Sequence, residues 1–119
     1  VIGPIGFIPG KDADQLVNVN ADTVAGNIAA ALDAERLVFL TDVEGVLDGS
    51  KALLPRLTRA ACRELIATGV ATGGMQAKLE AAMAALDAGA GHVHIVGGAR
   101  PGVLAAVVNG EPAGTVLEG

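Results

Sequence analysis

An α/β fold is what this sequence predicts, a three-layer αβα sandwich around a mainly parallel central sheet, and three observations lead there. Short apolar runs alternate with stretches of helical periodicity, and strands that alternate with helices imply parallel pairing with helices on both faces. Apolar residues make up 51% of the 119, yet there are two Phe and no Trp or Tyr, so the core is built from Ala, Val, Leu and Ile. Such small side chains suit close packing of helix on sheet. The 17 Gly, about twice ordinary usage, fall at the ends of the predicted elements, as sharp turns and loops that approach a ligand require. The length allows one domain with a core that needs no disulfide or metal.

Val1-Ile2-Gly3-Pro4-Ile5-Gly6-Phe7 opens the chain and is as apolar as the inside of a fold, which leads to the expectation that the natural protein starts further upstream. A polar turn over Gly10 to Asp14 and a second run, Gln15 to Val19, make residues 1–20 a strand hairpin. Val24, Ile28 and Leu32 then recur at four-residue spacing, predicting a helix from Ala21 to about Leu32 with Asn20 as its N-cap. Arg36 to Leu40 is a continuous apolar run, the pattern of a strand buried on both faces. Asp48-Gly49 marks a turn, after which Leu53 and Leu54 are expected to form a short strand before Pro55. Thr58 caps a helix from about Arg59 to Thr68 that Gly69 stops. Gly73-Gly74 opens the clearest helix, Met75 to Asp87, ended by Gly89. A strand over His92 to Val96, a helix from about Pro101 to Val108 and a last strand near Thr115 to Leu117 complete the order.

Composition excludes several classes of function. The net charge is −5, and the eight Lys and Arg are scattered with no basic stripe and no aromatic platform, so nucleic acid is not the expected partner. The single Cys62 reads as a small core residue of a cytoplasmic protein. No run of 18 apolar residues and no basic-then-apolar leader is present, so a membrane is not expected as partner either.

Few residues are placed to do chemistry. Lys78 lies beside the core stripe of Met75, Leu79, Met83 and Leu86, among Ala81, Ala82 and Ala85, with no acid three or four residues on. It stands in a first helical turn, where the dipole disfavours a cation unless an anion is bound. A solvated lysine whose stem covers the core edge is the plain alternative. Asp22 is either an ordinary first-turn acid or a carboxylate that holds a lysine or Mg²⁺ in place, with the Asn18 and Asn20 amides beside it for a polar substrate. Asp42 to Gly49 lies beyond the carboxyl end of a strand, where open α/β sheets bind ligands, although Asp and Gly also serve turn geometry there. No GxxxxGK[ST] or GxGxxG loop occurs. His92 and His94 share one strand face but lack a third metal ligand at suitable spacing, and no protein metal site is assigned.

Taken together, Asn18-Val19-Asn20-Ala21-Asp22, Thr41-Asp42-Val43-Glu44-Gly45-Val46-Leu47 and Gly73-Gly74-Met75 with Lys78 resemble the C-terminal, nucleotide-binding half of the amino-acid kinase superfamily, and its N-acetylglutamate kinases in particular. The resemblance covers nearly all of the chain and extends to Gly114-Thr115 as the closing strand. It implies that Asp22 and Lys78 are catalytic, Asp22 orienting lysines and Lys78 binding the moving phosphoryl group. Asn18 and Asn20 would meet the acceptor, N-acetyl-L-glutamate. Thr41, Asp42, Val43, Gly45, Val46, Leu47, Val70, Ala71, Thr72, Gly74 and Met75 would line ATP, bound with Mg²⁺. The implied reaction phosphorylates a side-chain carboxylate on the way to arginine, in a protein that is a homo-oligomer at full length.

Two departures accompany the resemblance. The family's N-terminal, acceptor-binding half, with a first catalytic lysine and a glycine-rich loop, is absent from these 119 residues, so the chain is expected to bind nucleotide without turning over. Gly97-Gly98 stands where the family more often has an acid. Glutamate 5-kinase, towards which Arg100-Pro101-Gly102-Val103-Leu104 leans, the kinase of carrier-linked aminoadipate, and a catalytically silent nucleotide-binding module are the alternatives.

Overall fold

The computed structural model describes the backbone of residues 5–8, 15–18 and 20–119, and side chains from Asn20 onward. Strands β1 (Ile5–Ile8) and β2 (Gln15–Asn18) pair antiparallel with Ile5 opposite Asn18, the expected hairpin. Val1 to Pro4, residues 9–14, over which a polar turn is expected, Val19 and the side chain of Asn18 lie outside the described residues.

Helix α1 (Ala21–Ala31) begins directly after Asn20, which is still extended and turns its Oδ1 back to accept from the N–H groups of Asp22 and Thr23, at 2.9 and 3.2 Å. Strand β3 (Arg36–Thr41) follows, then a long loop, strand β4 (Arg56–Leu57) and helix α2 (Arg59–Ala67), whose cap is the Thr58 hydroxyl accepting from Ala61 N–H at 3.2 Å. Helix α3 (Gly73–Asp87), strand β5 (His92–Gly97), helix α4 (Val103–Val108) and strand β6 (Thr115–Glu118) complete the chain.

The main sheet has the order β3-β5-β6-β4, parallel between β3 and β5 and between β4 and β6, antiparallel between β5 and β6. Helix α4, six residues rising about 9 Å, lies along less than half of the roughly 20 Å that β5 spans. β6 enters beside Ile95 and runs back along β5.

Alternation along β5 separates two cores. Val93 and Ile95 point to the side of α1, α2 and α3, where Phe39, Leu117, Cys62, Leu79, Ala82 and Ala85 gather, while Val96 meets Val103 and Val107 of α4 on the other side. Three layers result, as the periodicities predict.

Three element readings need correction. Leu53 and Leu54 form no strand: Leu53 makes one isolated bridge to Leu47, and pairing begins only at Arg56, because Leu54 uses its N–H on Val46 and its carbonyl on Thr115. The fourth helix starts at Val103 rather than Pro101, since Arg100 to Gly102 form a turn closed by the Val103 N–H on the Arg100 carbonyl. β3 is not buried on both faces. Only its Phe39 is fully buried, and Leu40 is 51% exposed, because among the described residues no strand pairs with the outer edge of β3.

Candidate functional site

Helix α1 approaches α3 closely because Gly26 presents no side chain at the crossing. A Cβ there would lie 3.2 Å from the Ala81 carbonyl oxygen and 3.4 Å from Ala85 Cβ. Ala81, Ala82 and Ala85 form the matching small-residue face of α3. Closeness at this crossing lets the second turn of α3 meet the first turn of α1, and Lys78 Nζ lies 3.2 Å from Asp22 Oδ2 and 3.5 Å from Oδ1. Both side chains are about four-fifths buried, at 20% and 21% exposure. The pair is therefore a fixed feature of the fold rather than a mobile surface contact.

Whereas side chains cap α1 and α2, Thr72 makes no side-chain hydrogen bond to the start of α3. Among the described residues no side chain accepts from the first-turn N–H groups of α3, the arrangement that favours an anion. Beside them opens a cavity of about 400 Å³, within the range of small-ligand sites. Thr41 at the end of β3, with Asp42, Val43, Gly45, Val46 and Leu47 of the loop after it, forms one wall. Val70 and Ala71 of the α2–α3 connection, then Gly74, Met75 and Lys78 of α3, form the other. Of the residues expected from the sequence around a nucleotide, Thr72 alone is not in this lining. Asp22 reaches the cavity only through Lys78. Asn20 borders a different, smaller space of about 210 Å³ between α1 and α3, with its side-chain oxygen committed to the cap.

Two devices shape the loop after β3. Asp48 Oδ1 accepts from Ser50 and Ala52 N–H at 2.8 and 2.9 Å and closes the predicted turn, with Lys51 in a left-handed conformation at φ 65°. Thr115, from β6, reaches in from behind and accepts from the Val46 N–H at 2.8 Å. Sequence reading missed Thr115 as a site residue; its signal was a lone hydroxyl next to Val116 and Leu117 at the start of the last strand.

His92 and His94 lie at the opposite end of the sheet from the cavity, on the α4 side, near Arg36, Arg56 and Glu118. His94 Nε2 is buried with no hydrogen-bond partner. Burial first, and then the charge of Arg36, holds its pKa below the ordinary imidazole value. Burial likewise pushes the Cys62 thiol up, which leaves it protonated and unreactive. No three His, Cys, Asp or Glu side chains gather as a metal site among the described residues.

Against known proteins, a profile of the amino acid kinase family matches residues 1–97. The acetylglutamate kinase of Solibacter usitatus is 50% identical over 113 residues, covering 95% of this chain and 44% of that protein. That of Caulobacter vibrioides is 46% identical over 119 residues, covering 99% and 38%. Among solved structures, N-acetylglutamate synthase from Neisseria gonorrhoeae, complexed with coenzyme A and L-arginine, superposes with a TM-score of 0.85 at 25% identity, covering 98% of this chain and 27% of that one. The chain thus spans less than half the length of the curated relatives it matches.

Proposed function

Given that the chain belongs to the amino acid kinase family, we propose that it is the nucleotide-binding half of an acetylglutamate kinase, the enzyme that passes the γ-phosphoryl group of ATP to the side-chain carboxylate of N-acetyl-L-glutamate. One observation carries the reading. Lys78 stands where the open amides of α3, the cavity and the Asp22 carboxylate meet, so a single cation faces the place where phosphate would lie while an acid holds it there.

ATP supplies the transferable group, and the residues of this chain supply position and charge. The largely apolar wall from Val43 to Leu47 with Val70 and Met75 suits a purine. The α3 amides and Lys78 suit its phosphates, which such transfer needs neutralised and aligned more than it needs a covalent partner. Mg²⁺ would arrive on the phosphates. Names of the curated relatives support N-acetyl-L-glutamate as acceptor.

Titration of the chain with MgATP tests the nucleotide assignment. Lys78→Met is expected to weaken binding at least about tenfold, the usual cost of a lost hydrogen bond to a charged group. An unchanged affinity in that variant, or no uptake by the unaltered chain, would overturn it. For the acceptor, the full-length protein is offered N-acetylglutamate, glutamate and aminoadipate in turn, and a preference for glutamate would rule out the role given to Asn18.

A further inference from the structure

Among the described residues Thr115 is the one fully buried polar side chain, at 0% exposure, and all of its hydrogen bonding is spent on the loop that walls the cavity. Its hydroxyl accepts from Val46 N–H at 2.8 Å and donates to the Leu54 carbonyl at 2.6 Å. One residue on, Val116 N–H donates to the Pro55 carbonyl at 3.0 Å. Both limbs of the loop are thus tied to the first two residues of β6. Close approach is enforced from each side: a Cβ on Gly45 would fall 2.8 Å from Thr115 Oγ1, and one on Gly114 would strike the carbonyl oxygens of Ile95 and Glu44.

We propose that Thr115 is a positioning residue for the nucleotide loop: its hydroxyl, which does not itself line the cavity, sets where Gly45, Val46 and Leu47 stand against the ligand. The inference rests on the nucleotide reading above. A hydroxyl is the group that can satisfy a buried donor and a buried acceptor at once. Valine has the same shape, yet it would leave both the Val46 N–H and the Leu54 carbonyl unpaired in the interior. Serine would keep both bonds and lose only a methyl group.

Amide exchange and MgATP titration together test this. In the unaltered chain without nucleotide, the Val46 amide is expected to be protected while the neighbouring exposed Glu44 amide is not; equal exchange at the two overturns the proposal. Thr115→Val is expected to bind MgATP about tenfold more weakly, with Val46 exchange accelerated, and Thr115→Ser to stay within about threefold of the parent. Parent-like affinity in Thr115→Val, or a loss in Thr115→Ser as large as in Thr115→Val, overturns it as well. Should Thr115→Val not fold, Thr115→Ser decides: retained affinity with retained Val46 protection supports the role, and loss of either refutes it. If the unaltered chain takes up no MgATP, it is the functional reading that fails, while Val46 exchange still decides whether the hydroxyl holds the loop.

Discussion

Because α3 opens at Gly73 rather than Met75, Lys78 sits in its second turn and not its first, still near the helix N-terminus that disfavours a cation, and the compensating acid comes from another helix. Removing that acid should therefore be felt in stability. Asp22→Asn is expected to cost about 1–2 kcal/mol in urea unfolding, between the values for exposed and fully buried pairs; no loss would mean that Lys78 is solvated in spite of the contact. His94 sets a second expectation. Its pKa is held below the ordinary 6.5 by burial and then by Arg36 and His92, with only Glu118 acting the other way. The unfolded chain then takes up a proton before the folded one does. The contribution of His94 is intact above about pH 6.5 and is lost as pH falls through that value towards the lowered folded one. Melting temperature should drop between about pH 7 and pH 5, and His94→Gln should flatten that slope; equal slopes in the two chains would contradict the account. The sequence made Asp22 and Lys78 separately visible, each with an ordinary alternative. Their partnership was implied only by the family resemblance and not by the residues themselves, because the two stand 56 positions apart and nothing local records which helices touch.

At the scale of elements, the sequence was most legible where local chemistry decides. Asn20 and Thr58 cap the helices they were expected to cap, because an Asn or Thr side chain satisfies a first-turn N–H whatever the rest of the fold does. It was least legible where a distant partner decides. Leu54 looks like strand and is not, since Val46 and Thr115 claim its backbone. The α1–α3 crossing is another such feature, and Gly26→Val tests it. The added side chain would meet Ala81 and Ala85 and push the helices apart. We expect a loss of about 1–3 kcal/mol in stability from overpacking, and weakened MgATP binding as Asp22 moves from Lys78. A variant that loses stability but binds nucleotide unchanged would show that the ion pair is not what holds Lys78 for its ligand.

Considered whole, the molecule carries a net charge of −5, so on the proposed reading a nucleotide would be held by local amides and Lys78 rather than drawn by the overall field. The cavity joins a loop from β3, the α2–α3 connection and α3, so a ligand there touches three segments of the fold and stabilises the folded chain by mass action. MgATP at about a hundred times its dissociation constant should then add about 2.7 kcal/mol of stability. A raised melting temperature would show it, and Lys78→Met at the same concentration should show much less; an equal rise in both would place the nucleotide elsewhere. By itself the sequence determined the α/β layering, most element boundaries and the motifs of the family, because periodicity, caps and glycine turns are properties of neighbouring residues. Only the tertiary structure decided that Asp22 meets Lys78, that β6 runs antiparallel to β5 and that Thr115 holds the loop at Val46. Each of these depends on chain segments far apart in sequence that meet only once close packing has fixed their distances.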